Sequence, residues 1–349
     1  MNLDSIKIKM RLENLDFNYN QYDESIINRA GGGVITKYVL CREVINHVMG
    51  LSCIEILPTT NEVIVISSAK ILREQYLEGI NKNTLERFYS EIRKYISCSF
   101  SDIEHSLLCR ADISENLYFE TRVAKEHAIK SLRLGKSNTA FKVDDFTDKK
   151  ESIIFIGRQI SYKNRQIYYN KELELNMRNN EEILYVLQNN NVKGLEKILR
   201  VEQNISNFDK LRYAIGKSKG DVALGEMVSS NENPLLKRHQ IIMKYAGEVT
   251  IFDEYSDWDD AMFNYGIEGI YIACNSDLNL VMDFLNERAG RRLITKRGNR
   301  VIKSGHYYEL KKKIQTHFSN NIVCLTTNVS SNDSYLKSLK RIEELLKSV

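Results

Sequence analysis

The 349-residue sequence holds only two prolines, Pro58 and Pro234, one tryptophan, and no Pro-rich or Gly/Ser-rich tract. Rigid polyproline spacers and long flexible linkers are therefore excluded. No apolar run approaches the ~20 residues needed to cross a bilayer as a helix. The first residues, MNLDSIKIKMRLEN, alternate like a strand and lack the apolar stretch and small-residue cleavage site of a signal peptide. The six cysteines (Cys41, Cys53, Cys98, Cys109, Cys274, Cys324) show no C-x-x-C spacing and read as reduced thiols packed as small apolar groups. The six histidines form no H-x-H or H-E-x-x-H pair, which argues against a zinc or His-pair metal centre. Gly31-Gly32-Gly33 has no Walker lysine near it and reads as a loop. A net charge of +4 is too small to argue nucleic-acid binding by itself.

What is present is ordinary apolar content and enough length for two domains. Strands are expected at Ser5 to Met10, Ile54 to Ile56, Val63 to Ile66, Leu107 to Ser114 and Ile198 to Ile205. Ile153 to Ile156 and Arg165 to Leu175 read as a hairpin around Tyr162-Lys163-Asn164. Leu85, Phe88, Ile92 and Ile96 share one helical face, with Asn83 and Glu86 resembling a capping box. Thr121 to Leu132 and Glu181 to Gln188 read as helices, and Tyr335 to Leu346 closes the chain with Leu339, Ile342 and Leu346 on one face. This mixture predicts an α+β fold on an antiparallel sheet with flanking helices. GKSKGDVALG is loop-like, and the remainder of the chain is more helical and basic. The expected division is 1–215, then a smaller, more helical domain over 216–349.

Charge is concentrated late in the chain. From Arg288 to Lys313 there are ten Lys/Arg against one acid, Glu309, with His306, Tyr307 and Tyr308 interleaved. Such a stretch suits phosphates and stacked bases, and suits a solvated basic face equally well. The acidic run FDEYSDWDD reads as a helix-start loop.

Two strands carry an Arg and a carboxylate two residues apart. In SLLCRADIS, alternation puts Leu108, Arg110 and Asp112 on one face and Leu107, Cys109, Ala111 and Ile113 on the other. In KILRVEQNI, Arg200 and Glu202 oppose Leu199, Val201 and Gln203. On neighbouring strands these four charges converge. They could then hold Mg²⁺ or Mn²⁺ through oxygens and steady a phosphate through Arg. Spacing alone favours the plainer outcome of two salt bridges. In RQIYYNKELEL, Tyr169 and Lys171 share a strand face, and Tyr168 faces the other way, toward Asn170, Glu172 and Glu174. A phenol becomes a useful nucleophile when a cation or metal is near.

LDSIKIKM, SSAKIL, CRADIS, IYYNKELEL and LRVEQNI, in this order over about residues 1–210, resemble the gene II replication initiators of filamentous phages. More distantly, they resemble the rolling-circle initiators of Gram-positive plasmids. RVIKSGHYYELKKKI resembles the family's second region. The resemblance implies a replication-initiator nuclease fold. It implies metal-dependent, site-specific nicking and rejoining of one DNA strand through a 5′-phosphotyrosine. Tyr169 then falls on the nucleophile of the Tyr-x-Lys-x-x-Glu motif, with Lys171 beside it and Tyr168 as substitute. Asp112, Glu202 and Glu174 fall on the Mg²⁺ or Mn²⁺ ligands. Relatives often carry a glutamate where this chain has Val63, and an unbroken strand would turn Glu174 away from Tyr169. Arg110, Arg200, Arg291, Arg292, Arg297, Arg300 and Lys303 are the expected DNA contacts. Partners would be origin DNA, duplex and single-stranded, with host helicase and polymerase in a bacterial cytoplasm and no membrane. Two rivals share these residues: a nonenzymatic origin-binding protein, and a relaxase or transposase of related chemistry.

Overall fold

A computed structural model describes residues 1–12, 16–28, 34–133, 141–146, 151–157, 165–244, 255–274, 277–291, 293–294, 301–318 and 331–349. Gly31-Gly32-Gly33, Tyr162-Lys163-Asn164, Cys324, Arg292, Arg297 and Arg300 lie outside the described residues. Ten strands form one sheet: β1 Leu3–Arg11, β2 Tyr22–Asn28, β3 Val34–Leu40, β4 Leu51–Leu57, β5 Glu62–Ser68, β6 Leu107–Tyr118, β7 Phe141–Phe146, β8 Ser152–Gly157, β9 Arg165–Asn170 and β10 Ile198–Ile205. Their spatial order is β2-β3-β4-β5-β1-β6-β10-β9-β8-β7, and every neighbouring pair is antiparallel. β1 and β6 stand at the centre.

The helices are α1 Arg42–Asn46, α2 Leu85–Ile92, α3 Phe100–Glu104, α4 Arg122–Arg133, α5 Lys171–Leu175, α6 Glu181–Asn189, α7 Phe208–Ala214, α8 Leu224–Ser229 and α9 Pro234–Lys244. Beyond a short 3₁₀ turn come α10 Trp258–Ala273, α11 Leu278–Arg288, α12 Ser304–Phe318 and α13 Ser331–Lys347, with a small hairpin β11 Leu293–Ile294 and β12 Val301–Ile302 before α12. No helix among the described residues is long and apolar enough to cross a membrane. The coarse expectation of an α+β chain on a large antiparallel sheet holds.

Period-two alternation explains the sheet's two faces. Ile6, Ile8 and Met10 of β1, Val63 and Val65 of β5, and Leu199, Val201 and Ile205 of β10 all point into one core. Helices α4, α9 and α13 cover β10 and its neighbours on that face. There Tyr168, fully buried, shares a hydrogen bond of 2.8 Å with His239 Nδ1 of α9, and His239 Nε2 lies 2.8 Å from the Leu339 carbonyl of α13. The imidazole is neutral, because burial pushes it down to about 4. So Nε2 donates to the carbonyl and Nδ1 accepts the tyrosine proton.

Several expectations are corrected. Leu108 joins the core with Ala111 and Ile113, opposite Arg110 and Asp112. The register passes from Lys7↔Arg110 to Ile8↔Leu108, leaving Cys109 as an extra residue that resets the alternation. Thr84 occupies the position before α2 with no side-chain cap, while the Asn81 carboxamide accepts from the Asn83 and Thr84 amides. The segment Arg165 to Leu175 is not one strand, because β9 stops at Asn170 and α5 begins at Lys171. The buried residues form two clusters. The first runs through Ile242 of α9 and takes back Leu339, Ile342 and Leu346 of α13, while the second spans Trp258 to Ile314.

Candidate functional site

β6 and β10 are neighbours, so their charged faces merge. Glu202 lies opposite Ser114 and Asn204 opposite Asp112, and Tyr169 of β9 lies opposite Arg200. Arg200 is the hub. Its Nε donates to Glu202 Oε1 at 2.7 Å, Nη1 to Asn116 Oδ1 at 3.0 Å, and Nη2 to Ser114 Oγ at 2.9 Å and to Asp4 Oδ1. The guanidinium is 1 % exposed, and the planar fork suits it to holding several acceptors at once.

Asp4 reaches Arg200 through a defect in the sheet. Leu3 pairs with Ile113 and Ser5 with Asp112, so Asp4 is an extra residue in β1. Such a bulge re-aims a side chain. Both Asp4 and Ser5 thereby contact the charged face, Ser5 through its hydroxyl to Asp112.

The Tyr169 hydroxyl donates to Glu202 Oε1 at 2.5 Å, the same oxygen that Arg200 holds. Burial, with Glu202 adding to it, keeps the phenol well above its ordinary range. Burial, then Asp4, also raises the Glu202 carboxyl above the usual carboxylate range, against the pull of Arg200. At neutral pH the phenol keeps its proton until a base takes it, and Glu202 is the acceptor already in contact. Tyr169 is 5 % exposed, so a phosphate reaches the hydroxyl only when covering side chains move aside.

Lys171, the first residue of α5, stays on the Tyr169 side, where strand alternation would also have put it. Its Nζ lies 5.9 Å from the Tyr169 ring centroid and donates to Glu174 Oε2 at 2.8 Å and to the Tyr76 hydroxyl at 2.5 Å. The i,i+3 spacing within a helix brings Glu174 to Lys171. That is the physical answer to the face conflict an unbroken strand would create. Lys125 of α4 fixes the corner, donating to Asn170 Oδ1 at 2.8 Å and lying 3.5 Å from Glu172. Burial, and then Arg200, lower Lys171 to about 8.

The three carboxylates expected to share an ion are separately engaged. Asp112 accepts from Ser5 and Asn204 and lies 3.4 Å from Arg110; Glu202 takes Tyr169 and Arg200; Glu174 takes Lys171 and the Asn180 amide. Among the described residues no three His, Cys, Asp or Glu side chains form one ligand group. Tyr168 stands on the opposite face. Glu62, beside Val63, pairs with Lys9 at 2.6 Å.

Of the basic stretch, Arg291 and Lys303 are exposed, and Arg288 is not a free cation. Its Nε donates to both Asp259 oxygens at 2.9 Å, its guanidinium stacks 3.9 Å from the Phe284 ring centroid, and the Tyr307 hydroxyl donates to the same Asp259. The sequence did not point to Asp4, Ser114, Asn116 or Tyr76. Ser114 and Asn116 continue the alternation of Arg110 and Asp112 and were readable from it. Neither a family model nor a curated protein matches this chain.

Proposed function

We propose that this protein nicks and rejoins one DNA strand with Tyr169 as nucleophile, and so initiates rolling-circle replication. The observation that carries the reading is the Tyr169–Glu202 hydrogen bond, set among the buried cations Arg200 and Lys171. In the step proposed, Glu202 takes the phenolic proton as the tyrosyl oxygen bonds to phosphorus. The bond to the 3′ oxygen breaks, and Arg200 and Lys171 offset the charge gathered on the phosphoryl oxygens. The 5′-phosphotyrosine conserves the bond energy for rejoining, and the free 3′ end primes a host polymerase while a host helicase opens the duplex. No step here depends on a metal; the Mg²⁺ or Mn²⁺ that the resemblance implies is a separate requirement to be measured. Exposed basic residues of the C-terminal region, Arg291 and Lys303 among them, would hold origin DNA.

A second reading has its own support. Tyr169 is nearly enclosed and each carboxylate is already paired, as in a nonenzymatic DNA-binding protein whose charged face is structural. One experiment separates the two. Single-stranded oligonucleotides tiling the DNA around the gene are incubated with protein, and covalent adducts are sought on denaturing gels. The enzyme reading expects an adduct that maps to Tyr169 and vanishes in Tyr169→Phe with DNA affinity retained. DNA binding with no adduct establishes the binding-protein reading. Adducts that form at transfer-origin or element-end sequences would point to a relaxase or transposase.

A further inference from the structure

The proposed chemistry leaves one proton without a donor, the one that must reach the departing 3′ oxygen. Tyr76 lies in the 3₁₀ segment Ala69–Glu78, far from Tyr169 in sequence, and is fully buried at the site. Its hydroxyl accepts from Lys171 Nζ at 2.5 Å. Among the described residues that is its only hydrogen bond, so its own hydrogen is unengaged. Tyr76 and Tyr169 share both cations. Lys171 Nζ is 4.5 Å from the Tyr76 ring centroid and 5.9 Å from that of Tyr169, while Arg200, which holds the Tyr169 acceptor Glu202, lies 5.8 Å from the Tyr76 ring. The placement is secured twice. Asn116, which accepts from Arg200, donates to the Leu77 carbonyl at 2.6 Å, and Lys70 donates to Asn180, which in turn donates to Glu174.

We infer that Tyr76 is a second catalytic tyrosine, the general acid that protonates the leaving 3′ oxygen, with Lys171 resupplying its proton. This rests on the nicking reading. The balance closes within the site. Tyr169 oxygen bonds to phosphorus as Glu202 takes its proton. The electron pair of the broken P–O bond goes to the 3′ oxygen, which receives the Tyr76 proton, and Tyr76 takes one from the Lys171 ammonium. Glu202 ends protonated and Lys171 neutral. For rejoining the sequence reverses, and neutral Lys171 acts through Tyr76 as the base that activates the 3′-hydroxyl.

The test uses a leaving group that needs no acid. The full chain and Tyr76→Phe, which loses only a hydroxyl, are compared on the nicked oligonucleotide with its natural 3′ oxygen and with a bridging 3′ sulfur. A thiol has a pKa of about 8.5, so the thiolate departs unprotonated. Tyr76→Phe is expected to slow adduct formation on the oxygen substrate by about 100-fold or more, and to match the wild type on the sulfur substrate. A second variant carrying fluorotyrosine at position 76 keeps shape and hydroxyl while changing acidity. Its rate should respond on oxygen and not on sulfur. Equal loss on both substrates, or no loss on either, overturns the general-acid role while leaving Tyr169 as nucleophile. Absence of any wild-type adduct overturns both readings.

Discussion

A guanidinium taken out of water must have its donors met, and Arg200 meets them with Glu202, Asp4, Asn116 and Ser114. Remove it, and two carboxylates face one another with Lys171 as the nearest counter-charge. Arg200→Met is therefore expected to cost about 3–5 kcal/mol, the usual penalty for orphaning half of a buried ion pair. Urea unfolding of the purified variant measures it. Arg200→Lys should recover only part, since an ammonium cannot span four acceptors as a fork does. A different kind of dependence attaches to Asp112. Its carboxylate accepts from Ser5 and Asn204, so Asp112→Asn keeps the shape while removing the charge. If a divalent ion enters at Asp112 and Glu202 with the DNA, Asp112→Asn loses adduct formation by orders of magnitude, EDTA abolishes it in the wild type, and Mg²⁺ or Mn²⁺ restores it. Adduct formation undiminished in EDTA would leave the phosphate charge to Arg200 and Lys171 alone.

At the level of elements, the two faces of β10 were legible from alternation, while the pairing of β6 with β10 was a condition that spacing posed and left open. Three features were not legible. An extra residue in β1 is invisible in a pattern of Leu, Asp, Ser, Ile, yet it delivers Asp4. The change from strand to helix at Lys171 falls inside a run with no Pro or Gly to mark it. Tyr76 arrives from another segment altogether, by tertiary packing that no local periodicity encodes. On the far side of β9, Tyr168 ties the strand to α9 and α13 through His239, which makes the element sensitive to acid. His239 titrates near 4 when folded, below its ordinary 6.5. The stability it lends is complete above pH 6.5. It is lost as pH falls toward 4, where the unfolded chain binds a proton that the folded one refuses. Each unit of that fall costs up to about 1.4 kcal/mol. Glu115 works oppositely, since burial raises it to about 6 and its protonation favours the fold as pH drops below that value. The comparison is therefore between wild type and His239→Gln, unfolded in urea at pH 7, 5.5 and 4.5. The variant should lose less stability on acidification. Parallel losses would show that the imidazole contributes no acid sensitivity.

On the scale of the whole molecule, the sheet and the second apolar cluster divide the labour expected of the site and of DNA holding. If exposed Arg291 and its neighbours in the sequence, Arg292, Arg297 and Arg300, contact phosphates, replacing all four with Gln should flatten the slope of log affinity against log salt. The change should be about 0.7–0.9 per lost contact. Arg288 belongs in a different experiment, because its pairing with Asp259 is part of the second cluster's interior. The chain's end, by contrast, returns to the sheet. Leu339, Ile342 and Leu346 of α13 are each 0 % exposed in the first cluster, and the Leu339 carbonyl accepts from His239. Burying one such side chain contributes about 1.5–3 kcal/mol, so three approach the ~5–15 kcal/mol that holds a whole domain. A chain ending before Ser331 is therefore expected to lose most of the stability of the sheet, with a lower midpoint in thermal unfolding and His239 opened to solvent. A break between independent units at residue 215 makes the opposite forecast, that the sheet melts as before once α13 is gone. Differential scanning of the full and shortened chains distinguishes them, and an unchanged sheet transition would support a boundary at 215.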